Sequence, residues 1–373
     1  MAEGVGGVWP RVSVIIPHYN NHAMLARVVA AVRAQDYEGE VEIIVADDGS
    51  RTPPEIAGVT VLVQEDRGFR AAAARNLGAS AATGEVVAFV DGDTLPEPGY
   101  LRAVVPHIRR NSRAVVVGSR LTGPERTEPE WLAQAWERTG HLSRADSTSW
   151  RFIISAALTC SADFFRLLGG FDASMVGYGG EDWEFGWRAW NAGAEFVHEP
   201  AAVAVHPEPD FGERGGDVEA AKNAETVALA HRITHPIARP AGVTFASADV
   251  AVVVPDAAGA GVVEAVIASW LRIDAHVYAA SVPPLFSADR RVSVGAPRGE
   301  RMCVELRQPW ALASPETFYA RATDSHLVCA DGTRVLTARA RALSAPAART
   351  SGEQLGLSLL DAPQRLERLF ADW

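Results

Sequence analysis

Acidic residues close two separate apolar runs of the chain. Asp47-Asp48 follows Val41-Glu42-Ile43-Ile44-Val45-Ala46, and Asp91-Gly92-Asp93 follows Val86-Val87-Ala88-Phe89-Val90. An Asp-x-Asp turn puts two carboxylates on one loop, which suits a hard or borderline divalent cation bound beside phosphate oxygens. The same residues also make an ordinary turn in which Asp caps backbone N–H groups, so this turn alone does not define a metal site. A second acidic pair, Glu181-Asp182, follows Gly179-Gly180 and opens a stretch that ends at Asn191 and Gly193. There the two acids either complement a helix dipole or supply a general base. His206 ends another apolar stretch, 24 positions after Asp182. An imidazole beside carboxylates suits Mn2+, with Mg2+ as the alternative.

These residues need elements to position them. Residues 12–17, Val-Ser-Val-Ile-Ile-Pro, read as a buried parallel strand. Asn20 or Asn21 caps a following helix with Met24, Leu25, Val28, Val29 and Val32 at helical spacing. Residues 41–46, 59–63 and 86–90 predict further strands, and residues 70–82 an Ala-rich helix stopped near Gly84. Strand, helix, strand in this order gives a right-handed parallel crossover. Ligands of open α/β sheets bind outside the carboxyl ends of the strands, so both acidic turns are expected to face one crevice.

Residues 181–190 predict a helix on which Trp183, Trp187 and Trp190 share a core-facing side, with Trp183 beside the acidic pair. Glu184 and Arg188, at i and i+4, read as a surface pair. A polar segment with Pro207, Pro209, Gly212 and Gly215-Gly216 reads as a mobile loop before a helix over 220–231. Pro236, Pro240 and Gly242 then mark a boundary, giving domains at 1–240 and 241–373.

Length and composition agree with that division. The chain has 373 residues, 48% hydrophobic and 22% charged, the make-up of a folded protein of about two domains. With 35 basic and 46 acidic residues the net charge is −11, which offers no basic field to a nucleic-acid backbone. Lys222 is the sole lysine, so bound phosphates would meet arginine, metal or backbone. Cys160, Cys303 and Cys329 are far apart and form no CxxC pair, which fits a reducing cytosol. No basic n-region stands at the N-terminus, and the most apolar stretch, residues 250–271, is interrupted by Pro255, Asp256 and Glu264. The expectation is a cytoplasmic protein without a transmembrane segment.

Taken together, Val-Ser-Val-Ile-Ile-Pro-His-Tyr-Asn-Asn, Ala-Asp-Asp-Gly-Ser, Ala-Ala-Arg-Asn-Leu-Gly and Phe-Val-Asp-Gly-Asp resemble the family 2 glycosyltransferases of the GT-A fold, which use nucleotide-diphosphate sugars. Gly179-Gly180-Glu181-Asp182-Trp183-Glu184-Phe185-Gly186-Trp187-Arg188 followed by Ala204-Val205-His206 is similar to the metal-dependent subset, which includes chondroitin-type polymerases and polypeptide N-acetylgalactosaminyltransferases. The resemblance covers about residues 11 to 210. It implies a Rossmann-like α/β domain with a mostly parallel sheet. It also implies that Pro17 and Tyr19 line a uracil pocket, that Asp48 accepts the base N3–H while Asp47 supports its turn, and that Arg75 approaches the nucleotide or its phosphates. An Asx cap at Asp47 and a helix-surface ion pair at Arg75 are the competing structural roles. Asp91 and Gly92 would lie at the ribose or at a metal-bound water, Asp93 and His206 would bind the metal together with Asp91, and Gly180 and Trp183 would border the sugar. Asp182 would be the base, with Glu181 holding hydroxyls. The retaining peptide-glycosylating relatives commonly carry Asn at the position of Asp182, so Asp182 here favours inversion. His198 has no such match and reads as structural.

The C-terminal part echoes the beginning. Residues 250–255 repeat the first strand, 263–270 the first helix and 275–281 the Asp-Asp strand, while Ala320-Arg321-Ala322 and Ala330-Asp331-Gly332-Thr333 are set against Ala74-Arg75-Asn76 and the Asp91-Gly92-Asp93 turn. Such a copy has lost its metal-binding acids and would position an acceptor or form a homodimer surface; an unrelated smaller α/β domain is the alternative. The reading is a metal-dependent transferase moving an N-acetylhexosamine or hexose from a UDP-sugar to a hydroxyl or thiol of a saccharide, small molecule or peptide side chain. A silent nucleotide-sugar-binding protein is the competing class. A sugar-nucleotidyltransferase would carry a Gly-rich loop after the first strand, where Pro17-His18-Tyr19-Asn20 stands.

Overall fold

The computed structural model describes residues 8–207, 218–256, 259 and 261–370. The segment read as a mobile loop after His206 lies almost wholly outside the described residues. The chain divides into two compact units, with the main division between Leu229 and Ala230.

The first unit is built on β1 (Val12–His18), β2 (Val41–Asp47), β3 (Thr60–Val63), β4 (Val86–Val90), β5 (Leu95–Pro96), β6 (Ala114–Thr122), β7 (Ala157–Ser161) and β8 (Glu195–His206). Its helices are α1 (His22–Arg33), α2 (Ala71–Ser80), α3 (Tyr100–Arg110), α4 (Glu130–Thr139), α5 (Ala162–Leu167), α6 (Glu181–Asn191) and α7 (Val218–Arg232). The eight strands form one sheet in the order β3-β2-β1-β4-β7-β6-β8-β5. Strands β3 to β4 run parallel, and β7 is antiparallel to both neighbours. β4 is a continuous apolar run, and β1 is nearly so, because both faces of the sheet are covered. Val14 and Ile16 belong to the core with α1 and α3, while Ile15 meets Gly78 of α2 and Phe89 meets Phe165 and Phe171 on the other side. This is the mostly parallel α/β architecture expected, with one antiparallel strand inserted.

The second unit contains β9 (Val250–Val253), α8 (Val262–Trp270), β10 (Ala275–Tyr278), β11 (Val292–Ser293), β12 (Met302–Glu305), β13 (Trp310–Leu312), α9 (Pro315–Ala322), β14 (His326–Cys329), β15 (Arg334–Thr337), α10 (Ala338–Ala342), β16 (Ala348–Thr350), β17 (Leu357–Leu359) and α11 (Leu366–Phe370). Its sheet runs β11-β10-β9-β12-β15-β14-β16. That order and the relative direction of every neighbouring pair are those of β3-β2-β1-β4-β7-β6-β8 in the first unit. Three of the sequence echoes match this correspondence, namely β9 with β1, α8 with α1 and β10 with β2. Two do not. Ala320-Arg321-Ala322 lies in α9, which follows β12, whereas α2 precedes β4. Ala330-Asp331-Gly332-Thr333 is the hairpin turn between β14 and β15, where Asp331 accepts from Thr333 N at 2.9 Å and from Trp310 Nε1 at 2.9 Å. By strand order the Asp91-Gly92-Asp93 turn corresponds to Leu306-Arg307-Gln308-Pro309 after β12, a segment with no acid.

Candidate active site

The carboxyl ends of β1, β2, β4 and β8 supply the expected residues. At β2, Asp47 is fully buried and its carboxylate receives Ser50 N at 2.8 Å and Ser50 Oγ at 2.5 Å, an Asx turn that shapes the loop. Asp48 accepts from Arg70 N at 2.8 Å and from Gln64 Nε2 at 2.5 Å, and its side chain lines a chamber of about 350 Å³. Pro17, Tyr19, Gly92, Asp93 and His206 line the same chamber. Tyr19 is half exposed and donates to Asp66 at 3.1 Å, so its ring face stays open. His18, beneath it, is held below its ordinary pKa, chiefly by burial.

Asp93 and His206 meet because β5 follows the acidic turn directly and pairs with the end of β8, Leu95 opposite Val205. Before that end, the β6–β8 register shifts between Gly118 and Ser119, a bulge of the kind that re-aims side chains near sites. The result is His206 Nε2 at 3.1 Å from Asp93 Oδ2, the histidine buried and the aspartate one-third exposed. Gly92 is required here, since a Cβ would lie 2.6 Å from the Pro17 carbonyl oxygen. Among the described residues no group of three or more His, Cys, Asp or Glu is placed to hold a metal. The donor set of one imidazole and one carboxylate would suit a Mn2+ or Mg2+ held by Asp93 and His206.

Asp91 takes a different part. Arg75 Nη2 donates to Asp91 Oδ1 at 2.6 Å and Arg75 Nη1 donates to Glu181 Oε1 at 2.8 Å. Arg75 is only 3% exposed, so it is not a helix-surface residue; it borders the chamber with both terminal nitrogens already engaged. Its partners lie in the wall between the first chamber and a second of about 550 Å³, which Glu181, Asp182, Trp183 and Gly180 line.

Glu181 and Asp182 sit in the first turn of α6, as their spacing from the glycines predicted. Gly180 has φ +89°, a conformation costly for other residues, and lies against Glu225 and Leu229 of α7. Asp182 accepts from Trp183 N at 2.9 Å and from Ser155 N at 3.3 Å. Burial, then the adjacent Glu181 charge, push its pKa up to about 7, against the opposing pull of Arg75 and the two N–H groups. Trp183 is half buried, edge-on to Trp150 at 6.0 Å, while Trp187 and Trp190 are core residues. Glu184 and Arg188 are not a surface pair. Glu184 is buried, and Arg188 binds it through two bonds while also donating to the carbonyls of Leu168 at 2.5 Å and Gly170 at 2.8 Å, pinning the loop below α6. His198 is structural, stacked on Trp136 at 4.0 Å and lowered to about pKa 3, chiefly by burial.

Several lining residues had no sequence signal. Phe69, Tyr178 and Arg120 border both chambers, and Trp131, Lys222 and Glu225 border the second. Arg120 could have been noticed as the one charged residue of β6, and Lys222 as the sole lysine.

Comparison with known proteins agrees with this geometry. Residues 13–163 match the family model described as glycosyl transferase family 2, and residues 143–206 match the N-terminal domain of galactosyltransferase. These two matches mark a glycosyltransferase domain within residues 13–206 of the first unit. A pre-mycofactocin glycosyltransferase of Mycobacterium tuberculosis is 31% identical over 207 residues, covering 52% of this chain and 42% of that protein. Chondroitin synthase of Escherichia coli is 26% identical over 264 residues, covering 60% and 38%. The chain therefore spans about two-fifths of the length of these relatives. Among solved structures, GalNAc-T7 with UDP, GalNAc and Mn2+ aligns at 19% identity and a TM-score of 0.45, covering 56% of this chain and 46% of its own. Among the described residues no helix is long and apolar enough to cross a membrane.

Proposed function

We propose that the chain is a metal-dependent, inverting glycosyltransferase that moves an N-acetylhexosamine or hexose from a UDP-sugar to an acceptor hydroxyl or thiol. The observation that carries this reading is the placement of the Asp93–His206 pair in one chamber and Asp182 in the adjoining one, with Asp91 shared between them. Tyr19 offers a ring face to the base, and Asp48 an acceptor for its N3–H. Asp93 and His206 would hold Mn2+ or Mg2+, which when bound supplies positive charge to the departing diphosphate. Asp182, in the second chamber, takes the proton from the acceptor. The acceptor oxygen or sulfur then forms its bond to the anomeric carbon as the bond from that carbon to the diphosphate oxygen breaks, and UDP leaves with the electron pair.

The relatives' names span pre-mycofactocin and chondroitin, so the acceptor class stays broad: a saccharide, a small molecule or a peptide side chain. The second unit, whose segments directly after β10 and β12 carry no acid, is assigned to acceptor binding or to a homodimer surface. The free thiols of Cys160, Cys303 and Cys329 fit a cytoplasmic setting. The deciding experiment is mass spectrometry of saccharide, small-molecule and peptide acceptors incubated with several UDP-sugars and Mn2+. A mass gain of one sugar, lost in Asp182→Asn, supports the proposal. Donor capture with neither transfer nor hydrolysis across the panel would favour a silent binding protein.

A further inference from the structure

We infer that Arg75 is a positioning residue that ties the donor-side turn to the acceptor-side acids, and not a phosphate-binding group. This rests on the reading above that Asp182 is the base. Arg75 reaches from α2 to Asp91 at 2.6 Å and Glu181 at 2.8 Å, residues on β4's turn and on α6 that are 90 positions apart in the chain. Both acids are thereby satisfied by one fork of N–H donors. The guanidinium lies over the Phe171 ring, 5.6 Å from its centroid, and its Nε is buried with no hydrogen-bond partner. Arg75 borders both chambers, but a guanidinium 3% exposed and already bonded through both terminal nitrogens has little left to offer a diphosphate. What it does fix is the distance between the turn that leads to Asp93 and the helix start that carries Asp182.

Lysine retains the charge but has a single nitrogen that cannot repeat the planar fork, so it is not equivalent here. If Arg75 sets geometry, Arg75→Gln should lower kcat by about 10²-fold, the order expected for an ångström-scale misplacement of reacting groups. Arg75→Lys should fall between it and the wild type. In both variants the Mn2+-dependent affinity for UDP, read by calorimetry, should stay within about threefold, because uniform binding of the donor is untouched. Glu181→Gln breaks the same tie from the other side, so the double variant Arg75→Gln/Glu181→Gln should lose no more than the worse single change.

A loss of UDP affinity of about tenfold or more with kcat retained would make Arg75 a donor ligand and overturn the inference. Additive losses in the double variant, or wild-type kcat in Arg75→Gln, would overturn it as well. Should Arg75→Gln fail to fold, Arg75→Lys with and without Glu181→Gln supplies the same cycle. Asp182→Asn is assayed alongside. Full transfer by that variant would remove the base assignment, a failure distinct from any result at Arg75.

Discussion

Asp93 and His206, 113 positions apart, stand 3.1 Å from carboxylate oxygen to imidazole nitrogen in the wall of one chamber. Under the proposed function, a cation held by both residues would take the place of that contact. Asp93→Ala and His206→Ala should therefore each weaken metal-dependent UDP binding by about 10-fold or more, at least the loss seen when outer-shell partners of a metal are removed. Calorimetry with and without Mn2+ reads the effect. An unchanged affinity in either variant would take that residue out of the metal shell.

As the proposed base, Asp182 would connect pH to both turnover and stability. Its pKa is raised to about 7 by burial and by Glu181, so kcat/KM for the free enzyme should fall as pH drops below about 7, where the base becomes protonated. Asp182→Asn should remove this limb together with most of the turnover, about 10²- to 10⁴-fold. For stability the sign is fixed by the same shift. The folded-state pKa lies above the unfolded one, so the protonated acid favours folding at low pH, and that contribution is lost as pH rises from about 4 through 7. Thermal melting should accordingly show Asp182→Asn gaining on the wild type between pH 5 and about 8; a constant difference across that range would contradict the buried-acid account.

Gly92 lets the acidic turn press against the end of β1. A methyl group there would sit 2.6 Å from the Pro17 carbonyl oxygen, backbone that cannot swing away. Gly92→Ala should cost about 1–3 kcal/mol of stability, the usual range for overpacking, and move the turn away from β1. Because that turn leads to Asp93, UDP affinity with Mn2+ should weaken in the same variant. Unchanged melting and unchanged affinity together would show that the turn is loosely held.

Local pattern in the amino-acid sequence accounts for much of this arrangement. β1, β2 and β4 are largely apolar because α1 and α3 cover one face while α2 and the Phe165–Phe171 cluster cover the other, and α6 follows its own start and stop residues. Arg75 is visible as a residue type but not as a buried bridge, since periodicity on α2 says nothing about which distant acids it reaches. The two-residue strand β5 is too short to leave a pattern, yet it is what joins Asp93 to His206. The cover that Glu225 of α7 gives to Gly180 is likewise a tertiary contact with no local signal. In the second unit, short matches mislead where an Asp-Gly pair serves a hairpin: Asp331 satisfies Thr333 and Trp310 and has no part in a ligand turn.

The repeated strand order leads to a last expectation. A duplicated sheet raises the question of a second donor site, which would lie at the carboxyl ends of β9, β10 and β12. Where the first unit has Asp47-Asp48, β10 is followed by Ala279-Ala280, and where it has Asp91-Gly92-Asp93, β12 is followed by Leu306-Arg307-Gln308-Pro309. Neither turn offers a carboxylate to a base or a cation, and Arg307 is drawn toward Glu305, 3.7 Å away. Titration with UDP and Mn2+ should thus saturate at about one nucleotide per chain, and Asp93→Ala should abolish most of the heat, since metal-bridged diphosphate binding needs hard oxygen ligands. A stoichiometry near two, or a second phase that survives Asp93→Ala, would mean that the copy has kept a binding function through other residues.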